Sequence, residues 1–340
     1  MKHSMILRHW SGWLGLLILT VGLTVSCVDE ETFADDPVGN FEALWKIMDE
    51  HYCFFGEKGV DWDEVHGRYA RQVHDQLTEG QTFEILTNML SELRDGHVNL
   101  YSTFDVGRYW AWHEDFPANV SDTLLRRYLG TDYRMATGLK YRILNDNIGY
   151  IRCPSFASSM GEGNLDEIMQ YLLPCNGLII DIRDNGGGML TSAEQLAARF
   201  TNEDLLVGYM QHKTGKGHND FSSMEEQHLS PSKGIRWQKR VAVLTNRSVF
   251  SAANEFVKYM KCCPKTTIVG DQTGGGAGLP FSSELPNGWS VRFSACPMYD
   301  RDRRSTEGGI LPDHQVALRE TDSMRGVDTI IEYARKLLSK

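Results

Sequence analysis

Ser251 is the first residue to weigh, because the segment 245–256 (TNRSVFSAANEF) reads as the end of a buried strand, a short turn and the start of a helix. A hydroxyl at the head of a helix sits where the positive end of the helix dipole favours a developing alkoxide and a neighbouring oxyanion. Serine is also a favoured helix N-cap without any chemistry, and this segment alone leaves both readings open. A nucleophilic serine needs a base. Lys258 lies further along the same helix, about 10 Å away at ~1.5 Å per residue, and does not reach back. His97, in the block 94–98 (RDGHV), stands where a helix breaks at Gly96 and the chain becomes extended, so backbone on both sides positions it. His212, His218 and His228 fall instead in a polar stretch without a period.

Two glycine loops complete the set. Residues 181–188 (DIRDNGGG) follow a buried strand and open a helix, so their N–H groups can converge on an anion. A phosphate loop needs Lys-Ser/Thr after the glycines, and Met189-Leu190 stand there. The second loop, Gly274–Gly276, meets the same objection. What remains is a donor pair for a tetrahedral oxyanion: the N–H of Gly187 and that of Ala252, the residue after the candidate nucleophile. His113-Glu114-Asp115 lacks the H-E-x-x-H spacing, and neither a metal nor a cofactor is expected.

These groups must be brought together by the elements around them. Apolar stripes at helical spacing run through Phe41, Leu44, Trp45, Met48 and Tyr52 after an N-cap at Asn40, through Trp62, Val65, Tyr69, Val73 and Leu77, and through Phe83, Leu86, Leu90 and Leu93. Three one-faced helices need partners, which predicts a helical cap over 40–97. The aromatic-rich stretch 98–140 is read as an irregular connection. From 141 onward, a hairpin around Asn145-Asp146-Asn147 precedes a helix near 163–173, and buried runs follow at 177–183, 241–245 and 266–269. Helices are expected at 189–200, 251–261 and 324–338, and a second hairpin turns at Pro286-Asn287-Gly288. Strands alternating with helices predict an α/β core over 141–340, with the site in loops at the strand ends. The stretch 212–234 is polar and aperiodic and reads as a long loop.

The 340 residues carry 35 Lys+Arg against 45 Asp+Glu, a net charge of −10 that leaves no basic surplus for nucleic acid. Residues 1–26 place Lys2 and Arg8 before the apolar run 14–25, which is shorter than the ~20 residues a membrane-spanning helix needs, and the layout is that of a secretory leader. The acidic stretch 27–39 reads as a tether. The Cys53, Cys153, Cys175, Cys262, Cys263 and Cys296 spacings show no zinc or C-x-x-C pattern, and buried thiols with at most one bridge are expected.

The blocks LRDGHV (93–98), IIDIRDNGGG (179–188), TNRSVFSAANEF (245–256), VGDQTGGG (269–276) and EGGILPD (307–313) together resemble the C-terminal processing, or tail-specific, serine peptidases. That resemblance implies a crotonase-like α/β core behind an N-terminal helical cap, with Ser251 as nucleophile. The Lys-dependent branch carries its base in the loop after the Val-Gly-Asp segment, and 272–277 (QTGGGA) contain no Lys. The resemblance is therefore to the tricorn-like branch, which implies His97 as base and Glu307 as the residue orienting it. That branch has a Ser before its His where Gly96 stands here. A peptide-binding PDZ module needs about 80–100 residues, more than separate His97 from the first hairpin, and none is expected. Ser26-Cys27 resembles a bacterial lipoprotein cleavage site, and the acidic residues after it resemble a Bacteroidetes surface-export signal. The expectation is an outer-membrane lipoprotein anchored through Cys27, facing the cell surface or the periplasm, acting as a serine endopeptidase on peptides or unfolded proteins. A catalytically degenerate binding protein, or an esterase using the same three residues, stays open.

Overall fold

In the computed structural model, which describes residues 32–339, the first helix starts earlier than its apolar stripe suggests: α1 spans Pro37–His51. Asp36 caps it by accepting from Gly39 N–H at 2.7 Å, and Pro37 takes a position where a missing N–H costs nothing. The expected cap, Asn40, is instead buried in the first turn, donating to Asp36 O at 2.8 Å and accepting from Asn287 N–H at 3.1 Å. The leader 1–26 and the lipidation point Cys27 lie outside the described residues. α2 (Phe55–Lys58), α3 (Trp62–Tyr69) and α4 (Glu79–Ser91) follow. The second stripe does not continue as α-helix to Leu77: a Thr78–Gln81 capping box starts α4, and Thr78 must be extended to serve it.

The stretch 98–140 is more ordered than expected and feeds two sheets. β1 (Asn99–Tyr101) and β2 (Val106–Arg108) join one, α5 (Ala111–Glu114) and α6 (Asp122–Leu129) intervene, and β3 (Arg134–Ala136) joins the other. Three-residue strands carry too little alternation to register as a pattern. Then come β4 (Leu139–Ile143), β5 (Ile148–Arg152), α7 (Glu162–Leu172), β6 (Gly177–Asp181), α8 (Leu190–Ala197), β7 (Leu205–Met210) and β8 (Glu225–Leu229). After these, β9 (Val241–Thr245), α9 (Ala252–Cys262), β10 (Thr266–Gly270), β11 (Gly278–Glu284), β12 (Ser290–Asp300), β13 (His314–Gln315), α10 (Glu320–Ser323) and α11 (Thr329–Leu338) complete the chain. β7 and β8 pair antiparallel, so part of the supposed loop 212–234 is sheet.

The main sheet runs β13-β10-β9-β6-β5-β4-β3, parallel from β13 to β5 and antiparallel at β4 and β3. Its central strands β6 and β9 are buried throughout, as a sheet covered on both faces requires. Ile180 and Val243 face the layer that includes Leu165, Leu196 and Phe256, while Ile179, Ala242 and Leu244 face Leu129, Ile330 and Ala334. The second sheet, β2-β1-β12-β7-β8 with β11 beside β12, packs Leu100, Val291 and Phe293 against Leu44, Met48, Leu86 and Leu90 of the cap helices. The chain is thus a mixed α/β fold with a helical N-terminal region.

A buried charge network ties the end of the main sheet to α11. Arg183 donates to Asp181 through Nε at 2.9 Å and Nη2 at 2.6 Å, and through Nη1 to Asp328 Oδ2 at 3.0 Å; Tyr150 OH donates to Asp181 at 2.8 Å. Asp328 also caps α11, accepting from the N–H groups of Ile330 and Ile331. Asp328→Ala removes the cap and leaves a buried guanidinium half paired, and is expected to cost about 3–5 kcal/mol. Urea unfolding of the variant checks this, and a loss below about 1 kcal/mol would contradict a role for the network in stability.

Candidate active site

The turn from β9 into α9 is held from both sides. Phe250 N–H donates to Asn185 O of the first glycine loop at 3.1 Å, and Ser251 N–H donates to Gly275 O of the second at 2.9 Å. Gly274 N–H returns a bond to Val249 O at 2.7 Å. Between these ties Ser251 adopts φ 58°, ψ −125°, a backbone state that costs a non-glycine residue about 1–3 kcal/mol and persists only where its surroundings impose it. Its side chain makes no capping bond to α9. Its Oγ instead lies 2.9 Å from Nε2 of His97. Gly187 permits this approach: at φ 102°, a Cβ there would come within 2.9 Å of both Ser251 Cβ and Phe250 O.

His97 sits between α4 and β1, 3% exposed, with its own N–H donating to Asp95 Oδ1 at 2.8 Å. Its ring lies 4.7 Å from that of Phe250, which stacks on Trp112 at 4.3 Å. Burial pushes the imidazole down to about 4; the Asp95 carboxylate opposes this, and the positive charges of Arg292 and Lys58 add to it. The ring is therefore neutral near pH 7, the state a base requires. Nδ1 is buried and has no hydrogen-bond partner among the described residues. Gly96 also has a steric cause, since a Cβ there would approach Trp112 Nε1 to 2.7 Å and Phe250 Cζ to 2.9 Å. The aromatic pair fills the space that a serine before His97 would need.

Glu307 does not do what the sequence suggested. Its Oε1 accepts from Lys58 Nζ at 2.8 Å and its Oε2 from Ala277 N–H at 2.8 Å, and no hydrogen bond joins it to His97. Burial and the charge of Asp95 push its carboxyl above the usual carboxylate range, against the pull of Lys58. The carboxylate whose charge bears on the imidazole is Asp95, 1% exposed, whose Oδ2 accepts from Tyr52 OH at 3.1 Å and Ser294 Oγ at 2.8 Å. In the sequence, the signal for Asp95 is its place two residues before His97 in the block 94–98.

Gly187 needs a second correction. Its N–H donates to Asn185 Oδ1 at 2.9 Å and is already engaged. Among the described residues, the N–H groups of Ala252, Gly186 and Gly188 make no hydrogen bond within the protein. Two lysines are held by carboxylates: Lys58 by Glu307, and Lys258 by Glu255 at 2.5 Å inside α9. His218 and His228 bond Asp49 and Asp204. All six described cysteines are free. Ser251, His97, Gly186 and Gly188 open into a cleft of about 600 Å³ whose other walls include Asn99, Arg108, Trp110, Trp112 and Arg292.

Residues 147–316 match Peptidase family S41, and residues 33–91 match the Tricorn protease C1 domain. The crystal structure of a Parabacteroides merdae protein described as a peptidase is 54% identical, with a TM-score of 0.86 over 90% of this chain and 97% of that one. A Staphylococcus haemolyticus protein described as a CtpA-like serine protease is 25% identical over 191 residues, 56% of this chain and 37% of its own. A carboxy-terminal-processing protease of Bartonella bacilliformis is 25% identical over 271 residues, 78% of this chain and 57% of its own. The chain thus spans about a third to about a half of these two relatives.

The burial of His97 sets an expectation for its titration. In the unfolded chain its imidazole protonates near 6.5, in the folded one near 4, so the stability it contributes is complete above 6.5 and is lost as pH falls toward 4. NMR of the ring nitrogens is expected to show a midpoint near 4. A midpoint near 6.5 would contradict the desolvated site.

Proposed function

Since the chain belongs to peptidase family S41, a family of serine-type peptidases, we propose that it is an endopeptidase that cleaves peptides or unfolded proteins through an acyl-enzyme on Ser251. The observation that carries this reading is the 2.9 Å approach of His97 Nε2 to Ser251 Oγ at a backbone position strained enough to need a reason. His97 Nε2 takes the hydroxyl proton as Oγ bonds to the substrate carbonyl carbon. The carbonyl oxygen, now negative, accepts from Ala252 N–H at the head of α9. The second donor is assigned to the same glycine loop, to Gly188 or Gly186 in place of Gly187, whose N–H is held by Asn185. Collapse of the intermediate breaks the C–N bond, and the imidazolium returns its proton to the leaving amine. Water then hydrolyses the ester by the same route in reverse.

The imidazolium formed on the way is the costly species in a site that holds the ring neutral. Asp95 lowers that cost through its charge and fixes the His97 backbone, and it is a positioning residue. Glu307 acts at one remove, by holding Lys58 and the Ala277 N–H. A base supplied by lysine is disfavoured by the pairing of both Lys58 and Lys258 with carboxylates.

Ser251→Ala and His97→Gln are each expected to lower kcat/KM on an unfolded protein by about 10³-fold or more with the fold intact by circular dichroism. Asp95→Asn is expected to lower kcat by about tenfold or more with little change in KM, and Glu307→Gln by less. Wild-type turnover in Ser251→Ala would end the assignment, and a larger loss in Glu307→Gln than in Asp95→Asn would return the orienting role to Glu307.

A further inference from the structure

Part of the cleft wall is a charged stripe set by strand register. Asn99 of β1 lies directly across from Arg108 of β2 and from Arg292 of β12, so the three side chains share one face. The residues next to them, Leu100, Gly107 and Val291, form the other face; Leu100 and Val291 are buried in the helical core, and Gly107 lies against Thr87 of α4. Arg108, Asn99 and Arg292 therefore front the cleft that holds Ser251 and His97.

Among the described residues neither guanidinium pairs with a carboxylate. Arg108 lies over the Trp110 ring at 5.3 Å, and the guanidinium of Arg292, a half-buried residue, makes no hydrogen bond or ion pair among the described residues. Elsewhere in the protein, inward-lying arginines are matched: Arg183 by Asp181 and Asp328, Arg199 by Glu162 and Asp166. The acidic residue lining the cleft, Asp184, is occupied by Asn246 Nδ2 at 2.6 Å. Two like charges flanking a single strand repel each other, and in a chain of net charge −10 with 45 acidic residues a partner was available to evolution. Left unpaired beside a nucleophile, a planar fork of donors is suited to a carboxylate brought by the substrate.

We propose that Arg292, with Arg108 beside it, binds a carboxylate of the peptide next to the scissile bond, and so makes this cleft selective for acidic substrates. This rests on the peptidase reading above. The carboxylate has two sources, an Asp or Glu side chain or the peptide's free C-terminus, and Arg292 recognises their shared chemistry.

The test uses matched peptides: internal Glu against Gln beside the cleaved bond, and a free C-terminal acid against the amide. In the wild type, at least one pair is expected to differ by about tenfold or more in kcat/KM, mainly through KM, as a charge-assisted bond implies. The pair that differs names the source. In Arg292→Gln the acid-to-neutral ratio is expected to fall toward one, in Arg108→Gln to fall less, and in Arg292→Lys, which keeps the charge but not the fork, to stay between. Ser251-dependent cleavage with a ratio near one in both pairs would overturn the assignment, as would a preference that survives both Arg→Gln variants. Absence of any Ser251-dependent cleavage would instead bring down the peptidase reading itself, and this assignment with it.

Discussion

The site depends on how the backbone of residues 249–251 is gripped between two glycine loops. Asn185 O takes the N–H of Phe250, Gly275 O takes that of Ser251, and Val249 O is answered by Gly274. A serine free to relax would return to an ordinary backbone state and cap α9 with its hydroxyl. Held at φ 58°, it cannot, and Oγ is delivered to the imidazole instead of to the helix. Each loop sits at the end of a parallel strand, β6 and β10, on either side of β9. The grip is thus a direct product of strand order, and the placement is where open α/β sheets put their chemistry.

The imidazole that meets Ser251 comes from the N-terminal layer of the chain. His97, Asp95, Lys58 and Tyr52 all belong to the N-terminal helices or the turn after them, a layer that packs on β12 through Phe293 and its neighbours, and from it His97 reaches Ser251. The cluster is largely dry, which is why its charges matter: the Asp95 charge raises the cost of ionising Glu307, and Lys58 partly relieves it. His97 sits at the edge of this field, kept neutral by burial. The positive charges of Arg292 and Lys58 act with burial to keep it neutral, and the Asp95 carboxylate opposes them.

Much of this was legible along the chain, for identifiable reasons. Buried parallel strands are apolar on both faces, so β6 and β9 stand out as unbroken runs, and the residues just past them were the natural places to look for chemistry. His97 and Ser251 followed from the blocks they sit in. The partner of Glu307 did not: Lys58 is 249 positions away, and no local pattern encodes that pairing. Nor did the arginine stripe, which exists only through the register of three strands. Two misreadings were local and avoidable in principle. Asp36-Pro37 is a stronger helix start than Asn40, and an Asn two residues before Gly187 is the usual way for a side chain to claim a loop N–H.

Activation of the Ser251 hydroxyl by the His97 imidazole is read out by covalent capture. Intact protein treated with a fluorophosphonate and mapped by mass spectrometry should carry one adduct, on Ser251. The rate of its formation should collapse in His97→Gln while the fold is retained. A folded protein that gains no adduct on Ser251, or gains it as fast without His97, would contradict the account.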